Sequence, residues 1–271
     1  MVEGTKTLLV TGGASGIGAA CARTFAAAGY CVMIADIQDD KGLHLASELG
    51  GDARYVHLDV AIEADFRNAI DGVMSHWGRL DCLINNAAIV GVMGPIAAIS
   101  QVEWDHAYAV IQRSVFFGTK HAARAMQPRK TGNIVNIASA AAFAAGFSPH
   151  AYGTAKAAVK HFTHSTALEL IEDGIRVNCI CPGNVATPIH TGVTDDRWLT
   201  RIQKIQVAQQ DDQPLPRFGQ PEEIAEAALW LASEASAYVV GHALVIDGGL
   251  LAGRAWRKQP PHQRQYHPAL R

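Results

Sequence analysis

The chain lacks a strong excess of charge of either sign. Its 271 residues include 23 Lys and Arg against 25 Asp and Glu, which gives a formal net charge of −2. Nucleic acids and anionic membranes attract proteins through basic surfaces, and a chain so close to neutrality gives no reason to expect one. We therefore predict neither nucleic acid nor membrane among its partners.

Long hydrophobic runs are also missing. The longest apolar stretch, residues 138–147, contains Ser139 and Gly146. It is too short to span a bilayer, which takes about 20 residues. The N-terminus runs from Met1 directly into a strand-like segment, without the basic and apolar regions of a secretory signal. These absences predict a cytoplasmic protein.

Cysteines number only five and follow no disulfide or metal-binding pattern. Cys179 and Cys181 are too close together for a usual zinc pair, and no second cluster of Cys or His completes such a site. All five lie in apolar segments, which is typical of buried thiols. We predict five reduced thiols, a reducing compartment and no metal ion.

The sequence has instead a regular alternation of short apolar, β-branched runs with longer runs of helical periodicity. Strands separated by such helices favour right-handed βαβ units and a parallel sheet with helices on both faces, a doubly wound (Rossmann-type) α/β fold. No linker or repeat divides the chain, so we predict one domain over residues 1–251. The predicted strands are Thr7–Val10, Cys31–Ala35, Arg54–Leu58, Leu80–Ile84, Ile134–Ile137, Arg176–Ile180 and Ala243–Ile246, and the predicted helices lie near 16–28, 40–49, 62–77, 101–127, 151–172 and 221–233.

Two segments do not follow this alternation. Residues 188–219 are polar, rich in Gln and Asp, and interrupted by Pro214 and Pro216. Their position after the sixth strand of a doubly wound fold predicts a substrate lid over the strand ends. Residues 252–271 form a basic tail without an acidic residue. The tail is either a solvated, partly disordered end or an arm that packs on a neighbouring subunit.

A glycine-rich turn follows the first predicted strand and leads into the first helix. Residues 11–18 read TGGASGIG. Glycines permit a tight turn and a close approach of the backbone to a pyrophosphate, whose charge the helix N-terminus then faces. A strand, a glycine turn and a helix in this order indicate a dinucleotide site.

Asp36 ends the second predicted strand, 24 residues after Gly12. A carboxylate at this place accepts hydrogen bonds from both hydroxyls of an adenosine ribose and repels a 2′-phosphate. No Arg or Lys lies in the glycine turn or directly after Asp36. The pattern favours NAD over NADP. The alternative is a plain solvated acid at a strand end.

Tyr152 and Lys156 stand one helical turn apart, and Ser139 lies 13 residues before Tyr152. Residues four apart share a helix face, so these two side chains project together. A free tyrosine has a pKa of about 10, and an ammonium about 4 Å away favours the phenolate by roughly 4 kcal/mol at an effective dielectric of about 20. Tyr152 is then a general base near neutral pH for an alcohol whose hydride passes to nicotinamide, while Ser139 holds the reacting oxygen. Without Ser139 and the glycine turn, the pair would be typical of an ordinary helix surface.

These motifs resemble those of the compact, single-domain branch of the short-chain dehydrogenases/reductases, over about residues 6–249. Four further sequence motifs strengthen the resemblance. Asp59-Val60 looks like the family's adenine-contacting pair, and Asn85-Asn86-Ala87-Ala88 is similar to its Asn-Asn-Ala-Gly. Pro182-Gly183 followed by Val185 and Thr187 matches the segment that flanks the nicotinamide, and Asp247-Gly248-Gly249 matches the close of the last strand.

The resemblance implies a seven-stranded parallel sheet and a homotetramer built on the helices near 101–127 and 151–172. It also implies that Lys156 binds the nicotinamide ribose. The expected catalytic residues are Ser139, Tyr152 and Lys156, and the expected NAD-binding residues are Gly12, Ser15, Gly16, Ile17, Gly18, Asp36, Asp59, Val60, Asn86, Tyr152, Lys156, Val185 and Thr187.

One residue departs from the family pattern. Ile111 stands where the family usually has an Asn that orders a water linking the Lys to solvent through a proton relay. Ile has neither donor nor acceptor, and its neighbours Gln112 and Ser114 point elsewhere on a helix. Another group such as a backbone carbonyl then holds the water, or the relay is weaker, or catalysis is lost. We expect an active enzyme with an altered relay.

The predicted substrate is a small-molecule secondary alcohol or ketone that binds beside Ser139 and Tyr152. Two alternatives remain open. A regulatory or scaffolding protein that has kept the fold has Ile111 as its support, whereas a sugar-nucleotide epimerase or dehydratase usually has a larger C-terminal domain than 271 residues accommodate. The side chains expected at the substrate are Phe147, Ile189, His190, Trp198 and Leu199.

Overall fold

The computed structural model describes residues 4–191, 197–209, 213–261 and 264. Seven strands form one sheet in the order β3-β2-β1-β4-β5-β6-β7, and every neighbouring pair is parallel. The predicted doubly wound fold is confirmed. The strands are β1 Thr7–Thr11, β2 Cys31–Asp36, β3 Arg54–His57, β4 Cys82–Asn85, β5 Gly132–Ile137, β6 Ile175–Pro182 and β7 Ala243–Ile246.

Helices cover both faces of the sheet because its central strands carry apolar side chains on both sides. On β1, Leu8 and Val10 belong to one core cluster and Leu9 to the other, and all three are fully buried. The strand sequences are therefore nearly continuous apolar runs. The helices are α1 Gly16–Ala27, α2 Asp39–Leu49, α3 Glu63–Trp77, α4 Gln101–Tyr108, α5 Ser114–Met126, α6 His150–Leu170, α7 Arg197–Gln209 and α8 Pro221–Leu231.

The long helix predicted near 101–127 is interrupted. A π-helical turn over Ala109–Arg113 separates α4 from α5. The Ser114 N–H reaches back to the carbonyl of Ala109, and the Ser114 hydroxyl donates to the carbonyl of Val110 at 2.7 Å. A hydroxyl that competes for a backbone carbonyl perturbs the regular ladder, and hydrophobic periodicity does not reveal such a local exchange.

The segment 188–219 contains a helix that the sequence analysis missed. On α7, Trp198, Ile202 and Ile205 recur at spacings of four and three residues and pack with Phe218. The polar residues between them concealed this apolar stripe. Residues 192–196 and 210–212 of the predicted lid, and 262, 263 and 265–271 of the predicted tail, lie outside the described residues.

The carboxyl ends of all seven strands lie at one edge of the sheet, because the strands are parallel. The strand order reverses between β1 and β4, and a crevice opens outside the strand ends at such a reversal. The turn after β1, the end of β4 and the loop after β5 border this crevice. No helix among the described residues combines the length and apolar character needed to cross a membrane.

Candidate active site

The predicted catalytic residues meet beyond the carboxyl end of β5. Ser139 begins a short 3-10 turn two residues after the strand, and its Oγ accepts a hydrogen bond from the Ala141 N–H at 3.1 Å. Tyr152 lies in the first turn of α6, close enough to Ser139 for that side chain to lower the pKa of the Tyr152 phenol. The two hydroxyls that the sequence assigns to one reacting oxygen are thus adjacent.

Lys156 follows one turn later on α6, on the buried side of the helix. Its ammonium donates a hydrogen bond to the carbonyl oxygen of Ile137 at 2.5 Å, and Nζ lies 5.7 Å from the centre of the Tyr152 ring. Burial disfavours the charged form and lowers the pKa of Lys156 to about 8. The amine is still largely cationic at neutral pH.

The expected acidity of Tyr152 is wrong for the chain by itself. Burial raises the pKa of Tyr152, and the hydrogen bond with Ser139 offsets part of that rise. A nearby ammonium favours the phenolate, but the loss of water around the buried phenol disfavours it. The spacing of Tyr152 and Lys156 indicates only the first of these two effects. Tyr152 therefore carries its proton at neutral pH in this structure.

The glycine turn has the backbone that a pyrophosphate requires. Gly12 adopts a φ of +62°, and a Cβ on Gly18 would overlap the carbonyl oxygen of Gly12, so both positions require glycine. Ser15 precedes α1 without capping it through its side chain, and the first turn of α1 contains no acid. The N–H groups at this helix N-terminus are thus directed towards the crevice, where they suit an anion.

Asn86 and Thr187 hold the glycine turn from two sides. The Asn86 amide donates to the carbonyl oxygens of Thr11 and Gly12, at 3.0 and 3.2 Å. A Cβ on Gly16 would lie 3.3 Å from Cγ2 of Thr187, which places the segment after β6 directly against the turn. Val185, in the same segment, is buried and forms a bridge with Gly219. The structure therefore brings these predicted residues together with the turn.

Asp36 lies at the end of β2 with its carboxylate already oriented. Its Oδ2 accepts the N–H of Ala14 at 3.0 Å, and its Oδ1 accepts the N–H of Gln38 at 3.0 Å. Ile37, the next residue, is 62% exposed although it is large and apolar. A carboxylate fixed by backbone donors beside an uncovered aliphatic side chain suits a ribose and its flat base.

Asp59 and Val60 follow β3 at the same edge of the sheet. The Asp59 N–H donates to the carboxylate of Asp65, and its own carboxylate accepts the N–H of Ala61. Val60 is buried against the core. The loop is therefore fixed by its own hydrogen bonds before any ligand binds.

Ile111 occupies the middle of the π-helical turn and is fully buried. It forms a core cluster with Ala107, Ala151 and Ala155, against which Tyr152 packs. Hydrocarbon therefore occupies the side of the catalytic helix where the family pattern has an amide. This packing contributes to the burial that raises the pKa of Tyr152.

The predicted substrate side chains are only partly brought to an open surface. Phe147 and Leu199 are about half exposed, whereas Trp198 packs inside the small core beneath α7 and the His190 ring lies 5.8 Å from that of Phe218. Met93 and Ile96, which the sequence does not single out, are 75% and 65% exposed after β4. Both lie in a segment with neither helical nor strand periodicity. Apolar residues in such a segment are the sequence feature that could have indicated them.

The thiols agree with the prediction. All five cysteines are free and buried. Among the described residues, no group of three or more His, Cys, Asp or Glu side chains is arranged to hold a metal ion.

Comparison with known proteins matches residues 12–251 to a family model of short-chain dehydrogenases, described as enoyl-(acyl carrier protein) reductase. Borneol dehydrogenase, mitochondrial, from Lavandula x intermedia is 41% identical, over 90% of this chain and 90% of its own length. The 3-alpha-(or 20-beta)-hydroxysteroid dehydrogenase of Mycobacterium bovis is 38% identical, over 92% and 91%. The crystal structure of ribose-5-phosphate isomerase from Brucella melitensis 16M superimposes with a TM-score of 0.85 at 33% identity, over 93% and 95%.

A dinucleotide crevice beside paired Ser and Tyr hydroxyls defines an oxidoreductase of alcohols and ketones. The chain belongs to the short-chain dehydrogenase/reductase family.

Proposed function

We propose that this protein is an NAD-dependent dehydrogenase of a secondary alcohol, in which Tyr152 takes or returns the alcohol proton. The observation that carries the proposal is the placement of Ser139, Tyr152 and the buried Lys156 together beyond the end of β5, at the same sheet edge as Asp36. Two adjacent hydroxyls at such an edge suit the oxygen of an alcohol, and a ribose-binding carboxylate suits the cofactor that oxidises it.

The residues of the crevice fit a nicotinamide dinucleotide. The N-terminus of α1 would hold the pyrophosphate, Asp36 the adenosine ribose, and Lys156 the nicotinamide ribose. A side chain at Gly18 would overlap the carbonyl of Gly12, so the turn packs closely against α1, which supports a dinucleotide turn. When bound, NAD supplies the acceptor or donor of a hydride.

Residues of the protein carry the proton that the alcohol loses or gains. During oxidation the alcohol hydroxyl gives its proton to the Tyr152 oxygen, and Ser139 donates a hydrogen bond to the substrate oxygen. During reduction the Tyr152 hydroxyl returns the proton to that oxygen. The ammonium of Lys156 is still present at neutral pH, since the pKa of Lys156 is about 8, and it favours the phenolate. Because burial raises the pKa of Tyr152, oxidation is expected to become faster as the pH rises.

NAD is preferred over NADP in this proposal because of the adenosine end. The buried Asp36 carboxylate is fixed by two backbone N–H groups, so it cannot readily turn away from a 2′-phosphate. A negative charge held in place disfavours a phosphate and favours the free ribose hydroxyls.

An apolar cyclic alcohol, such as a terpenoid or a steroid, is the substrate class we favour. Met93, Ile96, Phe147 and Leu199 expose apolar surface on the loops after β4 and β5 and on α7. Uncovered apolar side chains around a crevice suit a ligand without many polar groups. Two relatives are named for borneol and for hydroxysteroids, which agrees with this class.

We further propose a single domain over residues 1–251, in which residues 188–219 act as the substrate lid and 252–271 as a basic tail. The packing of α7 on Phe218 and Ala186 gives this segment an apolar core next to the crevice. Five free, buried thiols support a reducing compartment such as the cytoplasm. Apolar side chains on the outer faces of α5 and α6, including Phe116 and Leu168, support a homotetramer.

Substitution of Tyr152 tests the proposal. In Tyr152→Phe, NAD reduction with a panel of secondary alcohols should fall by about 10²- to 10⁴-fold, because only the proton acceptor is lost. NAD affinity, measured by calorimetry, should fall only slightly. Tyr108→Phe is a matched control, since Tyr108 packs near the same cluster but takes no part in the chemistry.

Near-wild-type turnover by Tyr152→Phe would contradict the assignment. The same assay separates an enzyme from the regulatory alternative that Ile111 suggests. A wild-type protein that binds NAD and oxidises no alcohol of the panel would favour regulation.

A further inference from the structure

The adenosine end of the site carries a hydrogen-bonded cluster that the proposed chemistry does not use. Asp39 begins α2, and Tyr55 and His57 belong to β3. Oδ1 of Asp39 accepts from the Tyr55 hydroxyl at 2.5 Å and lies 2.7 Å from Nδ1 of His57. The same Tyr55 hydroxyl lies 2.7 Å from the carbonyl oxygen of Asp36. One phenol therefore ties Asp39 to the residue proposed to bind the ribose.

The position of Tyr55 is fixed by packing. Its ring lies against Gly42 of α2 so closely that a Cβ on Gly42 would overlap the ring. His57 pairs in register with Asp36 in the sheet, so it stands beside that residue. The side chains of His57 and Asp39 are 55% and 56% exposed. Both are thus held in place and remain open to a nucleotide.

Asp39 and its neighbour Asp40 face different parts of the protein. Asp39 turns towards β3, whereas Asp40 lines a groove between α1 and α2 together with Arg23 and His44. Asp39 is connected to Asp36 through the Tyr55 hydroxyl. A phosphate on the ribose 2′ oxygen carries up to two negative charges, which a carboxylate close to Asp36 would repel.

We propose that Asp39 is a second carboxylate that selects the cofactor, positioned by Tyr55 and moderated by His57. The proposal rests on the proposed function, because it requires the adenosine ribose to bind at Asp36. The ribose of NAD brings no charge near Asp39, whereas the 2′-phosphate of NADP is repelled by it. Asp39 therefore acts on the rejection of NADP and leaves the affinity for NAD unchanged.

His57 gives this rejection a pH dependence of defined sign. Protonated His57 forms an ion pair with Asp39 and cancels its charge, whereas neutral His57 leaves the carboxylate uncompensated. The hydrogen bond that His57 donates to the Asp39 carboxylate raises the pKa of His57, and the charges of Asp65 and Asp59 act in the same direction. Tyr55 also faces the pair and stays neutral, because burial and Asp39 raise its pKa. Rejection of NADP therefore increases as the pH rises through the pKa of His57.

The test compares Asp39→Asn with Asp40→Asn, a matched control with the same charge change one residue away. kcat/KM is measured for NAD and NADP with one alcohol, and calorimetry measures the binding of AMP and adenosine 2′,5′-bisphosphate. Asp39→Asn should raise kcat/KM for NADP and the affinity for the bisphosphate about three- to tenfold, as expected for one charge at moderate distance. Both values for NAD and AMP should stay unchanged. Asp40→Asn should alter neither.

A second variant isolates the histidine. The 2′-phosphate itself titrates at a pH of about 6, so the preference for NAD rises with pH in every variant. His57→Gln removes the cation, so at about pH 6 it should reject NADP more strongly than the wild type does, and the two proteins should converge at higher pH, where His57 is neutral. Tyr55→Phe frees the Asp39 carboxylate from its hydrogen bond and should change selectivity in the same direction as Asp39→Asn.

The outcomes distinguish the two proposals. Equal effects of Asp39→Asn and Asp40→Asn, or no effect of Asp39→Asn, would overturn the role of Asp39. A wild-type protein that prefers NADP, or that binds neither AMP nor the bisphosphate, would instead overturn the proposed cofactor site.

Discussion

At the scale of single residues, burial acts on Tyr152 and Lys156 alike by favouring their uncharged forms. It raises the pKa of Tyr152 and lowers that of Lys156 to about 8. Near neutral pH the site therefore combines a protonated phenol with a largely cationic amine. This state is ready for ketone reduction, whereas alcohol oxidation must first remove the phenol proton.

Ile111 offers a way to change this balance with one substitution. In Ile111→Asn, an amide and the water it attracts replace hydrocarbon in the cluster against which Tyr152 packs. We expect the pKa of Tyr152 to fall, so that the rising limb of the kcat profile for oxidation moves to a pH lower by about 0.5 to 1, with faster turnover at neutral pH. Rate profiles over pH measure this shift.

The control is Ile111→Val, which keeps the site apolar and should leave the profile in place. A buried amide that lacks a full set of partners costs about 1–3 kcal/mol, so Ile111→Asn should also unfold at a lower temperature. An unchanged profile in a folded Ile111→Asn protein would mean that another group, such as a backbone carbonyl, already serves the relay.

The sequence predicts candidate residues that the structure brings together, but it does not predict their ionisation. Ser139 and Tyr152 are predicted by their spacing and by the family motif, and Asp36 by its place at the end of the second strand. The pKa of Tyr152 depends on how much water the whole fold excludes around it. The spacing of Tyr152 and Lys156 contains no information on that exclusion.

At the scale of secondary-structure elements, regular periodicity predicted the elements it describes and failed where the backbone departs from it. The π-helical turn Ala109–Arg113 has the Ser114 hydroxyl bonded to the carbonyl of Val110. Helix α7 depends on three apolar residues within a polar stretch. Both are local arrangements that an average over a window of residues conceals.

The outer face of α6 supplies a prediction about assembly. Leu168 is 75% exposed there, and Phe116 of α5 is 40% exposed. Unpaired apolar side chains on long helices favour helix-to-helix contact between subunits. Leu168→Glu should therefore convert the proposed tetramer into smaller species, as measured by light scattering after gel filtration.

Leu43→Glu provides the matched control, because Leu43 is 57% exposed on α2, away from the proposed interface. It should leave the assembly intact. A tetramer that survives Leu168→Glu, or a wild type that is monomeric at all concentrations, would contradict the proposed use of this face.

At the scale of the whole molecule, the alternation of strands and helices was enough to predict the fold. Parallel strands need crossover connections, and such crossovers are right-handed in nearly all proteins, which leaves few topologies. The cluster of Asp39, Tyr55 and His57 was not foreseen, because its members come from two elements whose register only the folded sheet defines.

The burial of Lys156 should make the free energy of unfolding depend on pH. The unfolded chain holds this proton up to a pKa of about 10.5, whereas the folded chain releases it at about 8. Between these values the unfolded state binds more protons, so stability rises with pH. The free energy of unfolding of the wild type, minus that of Lys156→Met, should therefore increase by up to about 3 kcal/mol across this window, as measured by urea unfolding at each pH.

Lys156→Arg is the control because its side chain stays charged throughout. The difference between its free energy of unfolding and that of Lys156→Met should not change with pH. A flat difference between wild type and Lys156→Met would mean that the lysine is not buried as the structure has it.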